Sequence, residues 1–204
     1  MKKKIITAFI ILLPIVIYLG LRSDDEGGNE SYEAKIQEER REKEDFMKTS
    51  ASSPFQKIPD QYKPLKYFQV NSKYKVKAEV EKINEISYVS IGESDGSTKR
   101  YVKYAWLHFK IDEKPLKLLV LKPTGFGQMN VLFTAFADDT SGEETYGAGR
   151  YLDLNFKNAS SITLDFNTAY NPYCAYNEGF ACPFPPAENV LPVRIEAGEK
   201  TFHD

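Results

Sequence analysis

The hydrophobic pattern of residues 65–204 is that of a series of short β-strands. At 73–81, Tyr74, Val76, Ala78 and Val80 alternate with charged residues, and a period of two is typical of strands with one buried face. Similar runs occur at 85–91, 101–111, 116–122, 131–136, 152–156, 162–167 and 191–195. We therefore predict an all-β fold of eight or nine strands, either an antiparallel barrel-like sheet or a sandwich.

A charged helix is predicted before the strands, over residues 30–50. Twelve of the residues 30–48 are charged, and Glu39 precedes Lys43, as Glu44 precedes Lys48, at the favourable i,i+4 spacing. Residues 24–29 are acidic and contain glycine, which is typical of a linker. The predicted domain thus covers 30–204, with a charged helix at 30–50 and a β part at 65–204.

The N-terminal segment 1–23 has the pattern of a membrane anchor or a signal peptide. Three lysines precede an uncharged apolar run from Ile5 to Leu21, which is 17 residues long and close to the lower limit for a membrane-spanning helix. The positive-inside rule places the following domain outside the cytoplasmic membrane. We expect a single-pass protein of that membrane with an extracytoplasmic C-terminal domain, or a secreted or periplasmic protein if the segment is cleaved.

Composition and charge exclude several classes of function. The chain has only two histidines and two cysteines, which argues against a zinc site built from several such residues. The first 23 residues carry a charge of +4 within a total of −2, so the remainder carries −6. A domain of that charge is a poor partner for nucleic acids. The sequence requires no cofactor, and the partners that we expect are the membrane, through the N-terminus, and a small ligand or an envelope protein.

The first of two unusual loops, 137–150, is acidic. Its carboxylates could bind a hard divalent cation together with loop carbonyls; they belong to Asp138, Asp139, Glu143 and Glu144. A solvated hairpin in which Asp138 caps the turn explains the same residues. Paired carboxylates of this kind could also catalyse hydrolysis, with one of them protonated as the general acid.

The second loop, 165–189, is rich in aromatic residues and prolines and contains both cysteines. Outside the cytoplasm, Cys174 and Cys182 would form a disulfide, and two buried thiols are the alternative. A catalytic cysteine would need a neighbouring base, but neither His108 nor His203 lies in a recognisable motif.

Candidate ligand-binding residues come from both loops. They are Tyr146, Arg150, Asp165, Asn167, Asn171 and Glu188. A buried Arg150 would need a carboxylate partner, for which Asp165, Glu188 and Glu196 are candidates; a second possibility is an arginine that binds an anion at the mouth of a pocket. Turn-forming hydrogen bonds would also explain Asp165 and the two asparagines.

Three long stretches carry a resemblance to a known family. DTSGEETYGAGRYLDL, DFNTAYNPYCAYN and CPFPPAENVLPVRIEAGEK, together with the charged helix that ends near 53–54, resemble the bacterial and archaeal DUF1684 family, over residues 32–204. This resemblance implies that TYGAGRYL, DFN-x-AYNPYCAY and CPFPPAEN form one functional or structural unit. It implies no activity, because the family has none established.

We therefore expect a domain that binds a small ligand or an envelope partner through loops 137–150 and 165–189. A hydrolase that uses Asp or Glu of the same loops, with or without a divalent cation, is the alternative. Acids with shifted pKa values in one cleft with Asp138, Asp165 and Glu188 would favour the enzyme. An aromatic groove, with those acids bound to Arg150, would favour the binding protein; a purely structural module would have no pocket.

Overall fold

The computed structural model describes residues 31–124 and 131–203. The chain divides into two compact units, 1–42 and 43–204. Helix α1 covers 31–49, so that the first unit is described from 31 to 42 and the helix ends within the second. In the first unit, Arg41 pairs with Glu38, one helical turn away.

The second unit is built on one seven-stranded sheet. Its strands are β1 (Lys75–Gly92), β2 (Thr98–Ile111), β3 (Lys114–Pro123), β4 (Leu132–Asp138), β5 (Arg150–Leu154), β6 (Ser161–Asp165) and β7 (Val190–Leu191). The order is β5-β4-β3-β2-β1-β6, with antiparallel neighbours throughout. The two-residue β7 lies parallel to β4. The prediction of a mostly β, antiparallel fold is confirmed, and the sheet curls into a half-barrel.

Strands β1 to β3 correspond to four of the runs predicted from the sequence. The runs predicted at 101–111 and 116–122 are present as the antiparallel pair β2 and β3, joined by a tight turn in which Asp112 and Glu113 have φ of 49° and 59°. The two runs predicted at 73–81 and 85–91 form a single strand, because the register shift between Lys82 and Ser87 lets β1 continue past an irregularity. This merger is one reason why seven strands are found in the described residues where eight or nine were expected.

The sheet has packed layers on both faces. Leu118 and Val120 of β3 belong to the larger cluster, while Leu119 and Leu121 point to the opposite face and pack in a second cluster. A strand buried on both faces reads as a continuous apolar run instead of an alternating one. The central position of β3 therefore explains why the sequence there is LKLLVL.

A third apolar cluster joins the end of α1 to the second loop and the C-terminal segment. Met47, Phe55, Tyr176 and Phe202 are all buried in it, and the Phe55 ring packs 5.6 Å from that of Tyr176 and 5.3 Å from that of Phe202. This cluster fixes residues 43–49 of α1 against the β part, and it determines where the side chains of this helical turn are placed.

The predicted localisation is corrected by the structure. Within residues 31–124 and 131–203, no helix combines the length and apolar character that a membrane crossing requires, since α1 carries most of the charged residues counted above. The prediction of a single-pass membrane protein with a domain outside the cytoplasm is therefore not supported. The segment from Ile5 to Leu21 lies outside the described residues.

Candidate functional site

The first loop turns its arginine into the interior. Arg150, the first residue of β5, is 0% exposed, and its Nη2 donates to Asp138 Oδ2 at 2.7 Å. The guanidinium also donates to the main-chain carbonyls of Ile195, Ala197 and Glu199. Burial lowers the pKa of Arg150, and the Asp138 carboxylate opposes this shift. The partner is thus a carboxylate of the same loop, not one of the three predicted for it, and neither side chain is accessible to a ligand.

The acidic loop uses its carboxylates for a turn cap and for surface ion pairs. Asp138 caps its own turn by accepting from the Thr140 backbone N–H at 2.8 Å. At the surface, Arg194 forms ion pairs with Glu143, Glu144 and Glu196 at 2.9, 2.5 and 3.3 Å. Asp139 is exposed, and its carbonyl accepts from Arg194. In the described part of the chain, no three His, Cys, Asp or Glu side chains are grouped so that they could hold a metal ion.

Two of the candidate ligand-binding residues, Asp165 and Asn167, hold a loop end in place. Asp165 Oδ1 accepts from the Asn167 N–H at 3.0 Å and caps the 3-10 turn Phe166–Thr168. Asn167 is buried and exchanges two hydrogen bonds of 2.9 Å with the backbone of Asn71. Glu188 lies elsewhere, in an exposed ion pair of 3.4 Å with Lys103. These side chains do not meet in a common site.

The predicted disulfide is not formed: both cysteines are free thiols. They are nevertheless close, since the backbone N–H of Cys174 donates to Cys182 Sγ at 3.3 Å. Hydrogen bonds close this part of the loop, because the Ser94 hydroxyl donates to Phe180 O at 2.9 Å and accepts from the Cys182 N–H at 3.0 Å. The loop is thereby fixed to the end of β1 without a covalent link.

The two thiols have opposite electrostatic surroundings. Hydrogen bonds, above all from the Cys182 side chain and further from Ser94 and Tyr146, lower the pKa of Cys174 to about 6 against the opposing effect of burial. The Tyr146 hydroxyl donates to Cys174 Sγ at 3.9 Å, and burial is the main cause that raises its own pKa to about 12. The pKa of Cys182 is raised, first by its hydrogen bond to Cys174 and then by burial. Cys174 is therefore the thiol that ionises more readily.

Beside this thiol pair lies a cleft of about 520 Å³, called here the aromatic cleft. Its lining comes from segments 43–47, 151–153, 168–173 and 180–183, and includes Cys182. The aromatic rings in it are those of Phe46, Tyr151, Tyr170, Tyr173 and Phe180. TYGAGRYL, DFN-x-AYNPYCAY and CPFPPAEN all contribute residues to this lining, together with the end of α1.

The rings of the cleft are held by edge contacts and by their hydroxyl groups. Tyr151 packs edge-on to Tyr170 at 6.0 Å, and Tyr173 packs edge-on to Phe180 at 5.2 Å. The Tyr151 hydroxyl donates to Pro183 O at 2.5 Å, and the Tyr170 hydroxyl donates to Asp153 Oδ1 at 2.8 Å. Burial and the negative charge of Asp153 raise the pKa values of Tyr170 and Tyr173. The tyrosines thus remain neutral hydrogen-bonding groups.

One wall of the cleft is tied to a buried carboxylate. Glu199 is 1% exposed, and Lys43 Nζ of α1 lies 2.7 Å from its Oε2. Asn171 donates to this carboxylate through its backbone N–H at 3.2 Å and its side chain at 3.0 Å, and the Tyr176 hydroxyl donates as well. The Lys43 ammonium also lies 4.7 Å from the centre of the Tyr170 ring. Among the predicted site residues, Asn171 therefore takes part in the support of the cleft.

Sequence reasoning missed several residues that matter here. Lys43 lies in the predicted charged helix and Asp153 in the run at 152–156, and the sequence singles out neither of them as a site residue. Asn189 was not singled out, yet it is fully buried and accepts from Leu119 N at 2.6 Å while donating to Ala135 O at 2.8 Å. It thus joins β3 to β4, whose direct pairing is limited to one residue pair. Its place at the end of CPFPPAEN, where the chain returns to the sheet, is the one sequence feature that could have indicated it.

The comparisons with known proteins concern the family and the fold. A family model described as "Protein of unknown function (DUF1684)" matches residues 60–200. The chain belongs to the DUF1684 family. The matched range includes every segment of the aromatic cleft except the one from α1, and the resemblance noted from the sequence is confirmed.

A solved structure is similar to this DUF1684 protein. It is the solution NMR structure of an uncharacterised protein from gene locus rrnAC0354 of Haloarcula marismortui, which is 35% identical in sequence, with a TM-score of 0.65. The match covers 85% of this chain and 96% of the other. No protein with a curated description matches. The comparisons therefore establish the family and the fold, and they assign no activity.

Proposed function

We propose that this DUF1684 domain binds a small organic ligand in the aromatic cleft. The observation that carries the proposal is the cleft itself: about 520 Å³, lined by five aromatic side chains and a few polar groups. Ligand sites in proteins are usually concave and mostly apolar, with volumes of roughly 300–1,000 Å³ and a small number of polar groups that orient the ligand. The cleft has each of these properties.

The arrangement of the acids supports binding over hydrolysis. A hydrolase of the predicted type needs two carboxyl groups facing one substrate. Asp138 is instead buried against Arg150, and Glu143 and Glu144 are bound by Arg194 at the surface. Asp153 is the carboxylate that lines the cleft.

Contacts within the protein hold the lining of the cleft in place, as expected of a preformed site. Tyr173 contacts Phe180, and Lys43 is held by the buried Glu199, so that these parts of the lining are fixed before any ligand arrives. Rigid sites lose less conformational entropy on binding than sites that must be ordered. A cleft of this volume suits a small molecule better than a folded protein partner.

The test is chemical-shift mapping with ¹⁵N-labelled protein and a panel of small aromatic fragments. We expect shifts confined to segments 43–47, 151–153, 168–173 and 180–183. Tyr173→Ala should abolish them by removing one wall, whereas Tyr88→Ala, an exposed tyrosine of β1, serves as the matched control and should leave them intact. Shifts centred on another face, or binding that survives Tyr173→Ala, would refute the proposal.

A further inference from the structure

The charge of the aromatic cleft is unbalanced. Two charged side chains line it, Lys43 and Asp153. The charge of Lys43 is compensated at 2.7 Å by Glu199, which is almost completely buried. Asp153 is exposed and accepts a hydrogen bond from the neutral Tyr170 hydroxyl, but within the described residues it forms no ion pair. The cleft with its supporting pair therefore has one uncompensated negative charge.

The aromatic rings add to the attraction for a positive charge. A ring presents negative potential on its face, and cations bind such faces within about 6 Å of the ring centre. The protein already shows this chemistry in the cleft, because the Lys43 ammonium lies 4.7 Å from the centre of the Tyr170 ring. Tyr173 lines the same cleft. The negative charge of Asp153 acts on this ring as well, because it contributes, after burial, to the raised pKa of the Tyr173 hydroxyl.

We propose that the ligand is an organic cation, an ammonium group attached to a flat apolar body, with the charge next to Asp153 and the body against the rings of the cleft. This inference rests on the proposed function and specifies its ligand class. An anion would have to use Lys43, whose charge is already engaged by Glu199, and it would approach Asp153 against electrostatic repulsion. A neutral molecule would leave the carboxylate without a counter-charge.

Three probes with the same ring separate these cases: benzyltrimethylammonium, benzyl alcohol and benzoate. Each is titrated into the ¹⁵N-labelled full chain at low ionic strength, and the dissociation constant is read from the shifts of the cleft residues. We expect the cation to bind about tenfold more tightly than the alcohol, with benzoate weakest. Added salt should weaken the binding of the cation and leave that of the alcohol unchanged.

Two variants assign the effect to one residue. Asp153→Asn keeps an acceptor for the Tyr170 hydroxyl and removes the charge, so the cation should then lose most of its advantage over the alcohol. Glu85→Gln makes the same change in net charge at an exposed position of β1 outside the cleft, and should bind all three probes like the natural protein. Unchanged thermal melting of both variants verifies that they are folded.

The outcomes distinguish the two proposals. Equal binding of all three probes, tightest binding of benzoate, or binding of the cation that is unaffected by Asp153→Asn would overturn the cation inference and leave the ligand-binding function standing. If no probe shifts the resonances of the cleft, the ligand-binding function and the inference that rests on it both fail.

Discussion

Two ion pairs of this domain, Arg150–Asp138 and Lys43–Glu199, each contain a buried carboxylate and differ in what they present to solvent. Arg150 and Asp138 are both 0% exposed, and the guanidinium is surrounded by main-chain carbonyls. In the other pair Glu199 is buried, while the Lys43 side chain is 24% exposed and lines the aromatic cleft. The first pair can only stabilise the fold. The second also supports a surface that a ligand can reach.

The same contrast separates the two loops in which the candidate chemistry was predicted. Loop 137–150 has four carboxylates, but it uses them for an internal arginine, a turn cap and surface ion pairs. Loop 165–189 has fewer charges, and it supplies Tyr170, Tyr173 and Phe180 to the cleft. A high density of ionisable residues in a sequence therefore did not indicate where the accessible cleft lies, whereas loop 165–189, with its many aromatic residues, contributes to the lining of this cleft.

The largest effect is expected from breaking the inaccessible pair. Arg150→Met leaves Asp138 buried without its counter-charge, so the free energy of unfolding should fall by about 3–5 kcal/mol, measured by urea denaturation. The double variant Arg150→Met with Asp138→Leu removes both charges and should be more stable than the single one. A loss below about 1 kcal/mol in the single variant would contradict the structural role assigned to this pair.

A smaller loss is expected at the pair that borders the cleft. Lys43→Met should lower the free energy of unfolding by about 1–3 kcal/mol, because water reaches this end of the pair and three other donors still bind Glu199. Lys48→Met, on the same helix and next to the Tyr62 ring at 5.5 Å, is the matched control. If the two lysine variants are equally stable, Lys43 has no special role in fixing the cleft wall.

The sequence was informative where local patterns decide the structure. Strands β2 and β3 lie where the runs at 101–111 and 116–122 predicted them. The Lys43–Glu199 pair joins residues 156 positions apart, and no periodicity can reveal such a contact. Even the ion pair of Asp138 with Arg150, only 12 positions apart, was not predicted. Their contact depends on how β4 pairs with β5, which the sequence does not show.

The thiols next to the cleft allow a test of its electrostatics. Alkylation of Cys174 by iodoacetamide requires the thiolate, so its rate should rise with a midpoint near pH 6, at the lowered pKa of about 6. Cys182→Ala removes the main cause of that lowering, and the midpoint should move upward. Cys182→Ser retains a hydrogen-bond donor and should move it less.

A Cys174→Ser variant identifies the alkylated residue and gives the background rate. The midpoint in the natural protein should lie well below that of an ordinary thiol, which is roughly pH 8.5. An ordinary midpoint, or one that is the same in the natural protein and in Cys182→Ala, would show that the neighbouring thiol does not act on Cys174. Such a result would also remove any electrostatic distinction between this corner of the cleft and an exposed loop.

The smallest effect is expected at the surface of the acidic loop. Arg194 is 42% exposed and binds three carboxylates that water also solvates, and exposed ion pairs of this kind contribute little to stability. Arg194→Gln should lower the midpoint of thermal unfolding slightly at low ionic strength, and salt should abolish the difference. Arg194→Lys retains the positive charge but lacks the planar guanidinium group, so its midpoint of thermal unfolding should lie between those of the natural protein and Arg194→Gln. A large decrease in the midpoint of thermal unfolding that persists in salt would mean that the surface ion pairs of loop 137–150 stabilise the fold as much as its buried arginine does. The contrast between the buried and the exposed ion pairs of this loop would then disappear.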